Sequence, residues 1–536
     1  LNQVLPEEKF IKEGAGEQNA RSPLIAYKLF LSATEQLYLS YAANYDTQQN
    51  IQISPYLRRF QTWLKLPLED RGLLTPRGHA GQYLASYRSA IGQLNNLYRQ
   101  CEQEKLLIPH VWQRVEQALQ ESPVAEIAKR AFAGRSHQNL PLAMDPNLAQ
   151  EVYGQDIYAS VSRLESFYEC EYRYFAAYGL RLKERELYGM DTLMTGSLFH
   201  DSLDRFLKAV SALDQDLTAL SEERRQSVIE ELLQALFTEP QYQVLHSSAR
   251  MEYLRYRLEK TIKKMTWTLQ EQGKRTKMRP VQTEVLFGQI AGKEGIPGLE
   301  LPMKNGGKLH VRGKIDRVDA LKLADEAWLA VVDYKSGDKQ FNLMEAYYGL
   351  AMQLLTYLDV ALRDADKLIG TKEAHPAGAY YLRIHDPIQN PEEWLKQRPL
   401  DKYKLKGFYA KNGQLYPALD TTLQEKEASQ LYPITKDAKG IVKPVAQNKN
   451  FYSEDEIHLM QDYNRLKMQQ AADTIVTGEI ALNPYLSPSG KRACSFCPFR
   501  SLCTFDVMLQ ENDYHRLRAQ DKENLLKEME EALKDE

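Results

Sequence analysis

Asp316 in the run KLHVRGKID, and Asp333 with Lys335 in LAVVDYKSG, have the types and spacing for metal-assisted hydrolysis of a phosphodiester. Side chains two apart on a strand share a face, so Leu309, Val311, Gly313 and Ile315 alternate with His310, Arg312, Lys314 and Asp316, and Asp316 falls on the polar side. In the second run the apolar stretch LAVV ends in Asp333, Tyr334 and Lys335, so Asp333 and Lys335 project together where the strand leaves its core. Neighbouring carboxylates repel unless a cation neutralises them, and hard oxygen ligands suit Mg2+ or Mn2+. A lysine beside them stabilises charge developing on a phosphate or orients the attacking water. Phosphodiester hydrolysis needs a Lewis acid, a water of lowered pKa and stabilisation of the pentacovalent charge. Taken singly, an Asp or Lys at a strand end is usually no more than solvated, so the argument rests on the combination.

The cysteines offer a second, softer chemistry. The chain has five, Cys101, Cys170, Cys494, Cys497 and Cys503, and the last three form the run Cys494-x2-Cys497-x5-Cys503. An odd count in a long chain whose N-terminus LNQVLPEEKF lacks the basic and apolar regions of a signal peptide points to a metal site or unpaired thiols, not a disulfide framework. A fourth thiolate has to come from elsewhere. Cys170, in SRLESFYECEYRYF, is the better candidate, whereas Cys101 sits in the ordinary helical pattern YRQCEQE. Four thiolates hold either tetrahedral Zn2+ or a [4Fe–4S] cluster, and ligand type alone does not choose between them. Reduced, unliganded thiols are the plain alternative.

The elements that must position these residues follow from periodicity. GSLFHDSLDRFLKAV repeats apolar residues at helical spacing through Phe199, Leu203, Phe206 and Leu207, and further helices fill 221–272. Then VQTEVLFG, KLHVRGKIDRVDAL and WLAVVDYKSG read as strands, LMEAYYGLAMQLLTYLDVALRD as a helix and AGAYYLRI as another strand. Helix, three strands, helix, strand predicts a mixed-sheet α/β core flanked by helices. Ser162 with Glu165 three residues on reads as a capping box for a helix beginning near Arg163. Residues 1–155 read as a mainly helical region and 156–536 as the α/β domain, with 386–455, rich in charge, Pro and Gly, as an insertion-like excursion. A helix over 455–477 leads into the cysteine run and a charged C-terminal helix.

At 536 residues and 43% hydrophobic content the chain has material for more than one core. No apolar run reaches the length of a membrane span, and the expected location is cytoplasmic. A first residue of Leu suggests a fragment or processed product. The net charge of −3 excludes a uniformly basic nucleic-acid binder but hides segregation. Between Arg250 and Arg279 ten Lys or Arg face three Glu, which reads either as phosphate contact or as a solvated helix face.

In order, Gly196-Ser-Leu-Phe-His200, GKIDRVD, VVDYKSG and Gln353-Leu-Leu-Thr-Tyr357 resemble the RecB-like branch of the PD-(D/E)xK nucleases. The resemblance implies that His200, Asp316 and Asp333 bind metal and that Lys335 is the catalytic lysine. It also matches Glu284, in TEVLF, to an acidic position that completes the site. A solvent-facing strand glutamate stays open for Glu284, and a partly buried helix histidine for His200. Gln353 and Tyr357, four apart on one helix face, would support the lysine and touch DNA. Cys170 before this core and the cysteine trio after it resemble the iron-staple nucleases, including the AddB subunits of bacterial AddAB helicase–nucleases and their RexB relatives. That favours [4Fe–4S] over Zn2+ and a structural role, tying the two ends of the domain together.

The resemblance covers 158–384 and 484–506. Upstream, LFLSATEQLYLSYA is similar to the end of a superfamily 1 helicase fold, but SATEQ lacks the arginine of the usual TRA segment, and no GxxxxGK[ST] loop occurs. The implied function is therefore a Mg-dependent DNA nuclease subunit without its own motor. Its implied partners are an AddA- or RexA-type subunit and DNA, as duplex ends and unwound single strands, with no membrane. Action on the 5′-terminated strand and Chi recognition follow by analogy of fold alone. The rival readings are a stand-alone RecB-like exonuclease and an inert DNA-binding scaffold.

Overall fold

A computed structural model describes residues 15–41, 53–67, 83–136, 138–185, 189–213, 216–290, 295–323, 326–371, 373–384, 400–509 and 511–535. The chain divides into two compact units, Leu1–Ser136 and His137–Glu536. The first is helical. Its helices Tyr87–Gln103, His110–Gln120 and Ala125–Ala133 bury Leu94, Leu97, Trp112 and Phe132 around a small core that also takes in Cys101.

Residues 137–155, grouped by sequence with the helical region, belong to the second unit. The Pro146–Tyr153 helix packs on the long Glu454–Val476 helix, and Met144 N donates to Gly478 O at 2.9 Å. No helix among the described residues is long and apolar enough to cross a membrane.

The second unit is built on a mixed sheet. Its strands are β1 (Ile157–Ser160), β2 (Arg279–Phe287), β3 (Leu299–Pro302), β4 (Lys308–Leu323), β5 (Glu326–Lys335), β6 (His375–Arg383), β7 (Lys406–Ala410), a β8–β9 hairpin (Ile434–Lys436, Val442–Pro444) outside the main sheet, and β10 (Phe451–Tyr452). The order is β1-β4-β5-β6-β7-β10, with β2 and β3 also antiparallel to β4. β4 alternates buried and outward residues as far as Lys314, then is buried on both faces from Ile315 to Leu321. Asp316 sits at that transition. The β5–β6 pair is parallel, which requires a crossover, and the Gln353–Arg363 helix supplies it while packing on both strands. It is buried all round because the Glu454–Val476 helix covers its other side, with Asn464 Nδ2 donating to Thr356 Oγ1 at 3.0 Å.

Three expectations change. The helix expected to begin near Arg163 runs Val161–Glu169 with Ser160, not Ser162, as its cap: Ser160 Oγ accepts from Arg163 N at 3.2 Å. The single helix expected after β5 is broken into Leu343–Tyr347 and Gln353–Arg363 by a turn in which Gly349 takes φ 75°, a region that disfavours side-chain-bearing residues. The 386–455 segment is no excursion where it is described, since β7 and β10 extend the central sheet and Tyr403, Phe408, Tyr409, Leu419 and Tyr432 are buried in the main core. Short strands punctuated by Gly and Pro carry too few residues to show a period. Residues 385–399 lie outside the described set.

Candidate active site and cysteine cradle

The Thr192–Ala212 helix starts at Asp191, whose side chain accepts from Met194 N at 2.7 Å, and buries Phe199, Leu203 and Phe206 against the core. One turn beyond His200, Asp204 Oδ1 accepts from Thr283 Oγ1 at 2.6 Å, pinning the helix to β2. That anchor holds His200 above two carboxylates: its Nδ1 lies 3.1 Å from Asp316 Oδ1 and 3.7 Å from Glu284 Oε1.

Register explains the meeting. In the β2–β4 ladder Thr283 faces Arg317 and Val285 faces Ile315, which sets Glu284 level with Asp316. Neighbours on a strand normally point to opposite faces. Here Thr283 and Glu284 both reach the same helix, because Glu284 adopts φ 53°, uncommon for any residue but glycine. Lys314, two before Asp316 on the same face, ion-pairs with the other Glu284 oxygen. The β4–β5 ladder ends at Arg317–Val332, and Asp316 Oδ2 takes the next free donor, Tyr334 N, at 2.8 Å.

Asp333 is 3% exposed and Asp316 5%. Lys335 Nζ ion-pairs with Asp333 Oδ2 at 2.6 Å, and Glu284 Oε1 is a buried oxygen with no hydrogen bond. Burial pushes Asp333 up to about 6, with Lys335 opposing and Asp316 adding to the rise. Burial works against a charged His200, yet hydrogen bonds and charge from Asp316 and Glu284 outweigh it and lift the imidazole to about 9. Burial also raises Glu284, but His200 and Lys314 win and hold it below the usual carboxylate range. The pocket thus answers its excess negative charge with a proton on His200. His200, Glu284 and Asp316 could instead meet that charge by holding a divalent cation, with a neutral imidazole among the ligands. His200, Glu284 and Asp316 each offer an atom within 4.8 Å of the others, the one such group among the described residues.

Gln353 and Tyr357 share a face as expected, and Gln353 Nε2 donates to Tyr357 Oη at 2.9 Å. No hydrogen bond from either to Lys335 is present among the described residues. Sequence reasoning gave Glu165 to its own helix, whereas it caps the Gln353–Arg363 helix by accepting from Met352 N at 2.8 Å and Gln353 N at 3.2 Å. Nothing in the local sequence shows a partner 187 residues away. It also gave Lys314 no role, although its place two residues before Asp316 was a usable signal.

The family model of the PD-(D/E)XK nuclease superfamily matches residues 158–504. The chain belongs to that superfamily. Its members use divalent metals, in keeping with the carboxylate and imidazole group around His200. Curated relatives, each named as a subunit of an ATP-dependent helicase/deoxyribonuclease, are similar to this nuclease over nearly its whole length: 44% identity over 98% of the chain in Enterococcus faecalis, 30% over 99% in Pediococcus pentosaceus and 31% over 97% in Latilactobacillus sakei. The chain spans 44–46% of those relatives' own lengths.

The nuclease domain also contains the cysteine cradle. Cys170, buried at the end of the Val161–Glu169 helix, lines one cavity with Cys494, Cys497 and Cys503. Side chains hold the distant segments together. Asn483 Oδ1 accepts from Glu171 N at 3.0 Å and Asn483 Nδ2 donates to Glu171 Oε1 at 2.8 Å, while Asn139 Nδ2 donates to Cys503 O at 2.9 Å. Burial pushes the Cys170 thiol up to about 12. No three of the four sulfurs lie within 4.8 Å of one another. Cys101 instead lies in the core of the first unit, its thiol 3.9 Å from Leu107 O.

Proposed function

We propose that this chain is the nuclease-bearing part of a helicase–nuclease subunit that cuts DNA strands at double-strand ends opened by an AddA- or RexA-type partner in the cytoplasm. The observation that carries the reading is the convergence of His200, Glu284 and Asp316 beside Asp333 and Lys335. The relatives' printed name supports the setting. His200, Glu284, Asp316 and Asp333 would hold Mg2+, which supplies Lewis acidity and charge compensation when bound.

The protein's own groups do the rest. Tyr334 N–H fixes one Asp316 oxygen, Lys314 and His200 hold Glu284, and Lys335 brings a positive charge to the edge of the buried carboxylates, where a phosphate gaining negative charge is stabilised. The Gln353–Tyr357 pair forms the adjoining wall for a strand of DNA. Action on the 5′-terminated strand belongs to the same proposal.

For the cradle the reading is [4Fe–4S]. Cys170 ahead of the nuclease core and the Cys494, Cys497 and Cys503 trio after it line one cavity, as four thiolate ligands of such a cluster would. Two measurements test the whole. In the complete helicase–nuclease complex, Asp333→Ala should abolish Mg2+-dependent degradation of single-stranded DNA, and activity equal to the wild type would remove the assigned site. Iron and sulfide should be stoichiometric in anaerobically purified protein, and zinc without iron would overturn the cluster.

A further inference from the structure

The Ala249–Arg275 helix is 27 residues long and buries Leu258, Ile262, Met265 and Leu269 on one face. Its outer stripe is unusual. Tyr253 and Tyr256 are 63% and 60% exposed, Arg257 and Lys260 are exposed, and Lys264 Nζ sits 3.5 Å over the ring of Trp267. At 3.6 residues per turn, offsets of three, four, seven, eleven and fourteen from Tyr253 all return to within about 60° of it, so these six side chains form one line about 21 Å long. Acids fall off that line: Glu259 pairs with Lys263 at 2.8 Å, and Lys263 also reaches Glu230 at 2.7 Å. Arg257 and Lys260 form no ion pair among the described residues.

A second observation points to an anion. Between this helix and the Glu222–Phe237 helix runs an open groove of about 590 Å³, and Arg225 lines it. Arg225 is 4% exposed, its Nε has no hydrogen-bond partner, its Nη1 donates only to the neutral Gln270 at 3.3 Å, and the nearest carboxylate, on exposed Glu222, is 3.6 Å away. The buried guanidinium thus has only a long ion pair to an exposed carboxylate, and a phosphate oxygen in the groove would add a closer counter-charge.

We propose that this stripe and groove form a track for single-stranded DNA, distinct from the residues assigned to cleavage. Two exposed tyrosines followed by a run of cations suit a polyanion whose bases stack, and sequence-tolerant stacking is what a nuclease handling arbitrary strands requires. A line of about 21 Å spans about four to six nucleotides. An apolar protein partner would leave Arg257 and Lys260 buried without counter-charges. The track rests on the reading that this chain acts on DNA, but not on the active site being competent.

The test uses the full chain, a fluorescent 25-nucleotide oligo-dT and EDTA, so that binding is read without cleavage. Arg257→Ala with Lys260→Ala should weaken binding about tenfold or more and lower the slope of log K against log salt by about 1.4, at about 0.7 for each phosphate no longer neutralised. Tyr253→Ser with Tyr256→Ser should weaken binding about tenfold while leaving that slope unchanged. Wild-type chain that binds the oligonucleotide in EDTA but does not cut it once Mg2+ is added would count against the nuclease reading alone, so that failure is separable from a failure of the track. Unchanged affinity and slope in the Arg257/Lys260 pair would overturn the proposal. So would intact DNA binding with impaired association with the helicase subunit, which would make the stripe a protein-binding face.

Discussion

His200, Glu284 and Asp316 stand within 4.8 Å of one another, whereas no three of the cradle's sulfurs do. The first group is fixed by short-range means: ladder register, the Tyr334 N–H, the Lys314 ion pair and the Asp204–Thr283 anchor. The second is approached from far apart, with backbones held by Asn483 and Asn139. On the proposed reading the hard-ligand site would be ready-made, and the soft-ligand site would be completed by the group it binds. Damage to the first should be local and kinetic; damage to the second should spread through the domain and be thermodynamic.

The largest effect that sharpens this contrast is Cys170→Ser. It should abolish iron incorporation and lower the thermal midpoint of the domain, while Cys101→Ser leaves metal content unchanged; iron analysis and calorimetry of the two variants decide it. Because the buried Cys170 thiol titrates near 12, loading must expel a proton, so metal retention should weaken as pH falls. Lys335→Ala comes next, with cleavage slowed by about 10² to 10³ and melting nearly unchanged. Loss of fold in that variant would break the comparison. Lys314→Ala should slow cleavage by about 10 to 100 by freeing Glu284, read as a raised Mg2+ requirement. Smallest is Tyr357→Phe, which removes the acceptor of the Gln353 bond at a cost of about 0.5 to 1.5 kcal/mol, measurable by denaturant unfolding.

Much of the candidate site was legible because period-two alternation places Asp316, Asp333 and Lys335 without knowledge of the fold. The helical spacing around Phe199 likewise located the element bearing His200. What sequence could not supply was register. Glu284 meets Asp316 only through an antiparallel pairing, and its re-aimed side chain depends on a backbone conformation that no propensity encodes. Glu165 misled for a related reason: its local context offered a cap to its own helix, and tertiary structure used it on another. The 400–452 segment looked loose because aromatic burial there, as at Phe408 and Tyr432, comes in strands too short to declare a period.

Glu284 has one further consequence, for anyone evolving or engineering the enzyme. Its left-handed backbone costs a side-chain-bearing residue about 1 to 2 kcal/mol, and glycine would escape that penalty. Where that saving exceeds the loss of the Lys314 and His200 pairs, Glu284→Gly should melt higher while cutting more slowly. A paired screen of melting and cleavage would expose the trade-off, and equal melting of the two forms would show that the kink is supported rather than strained.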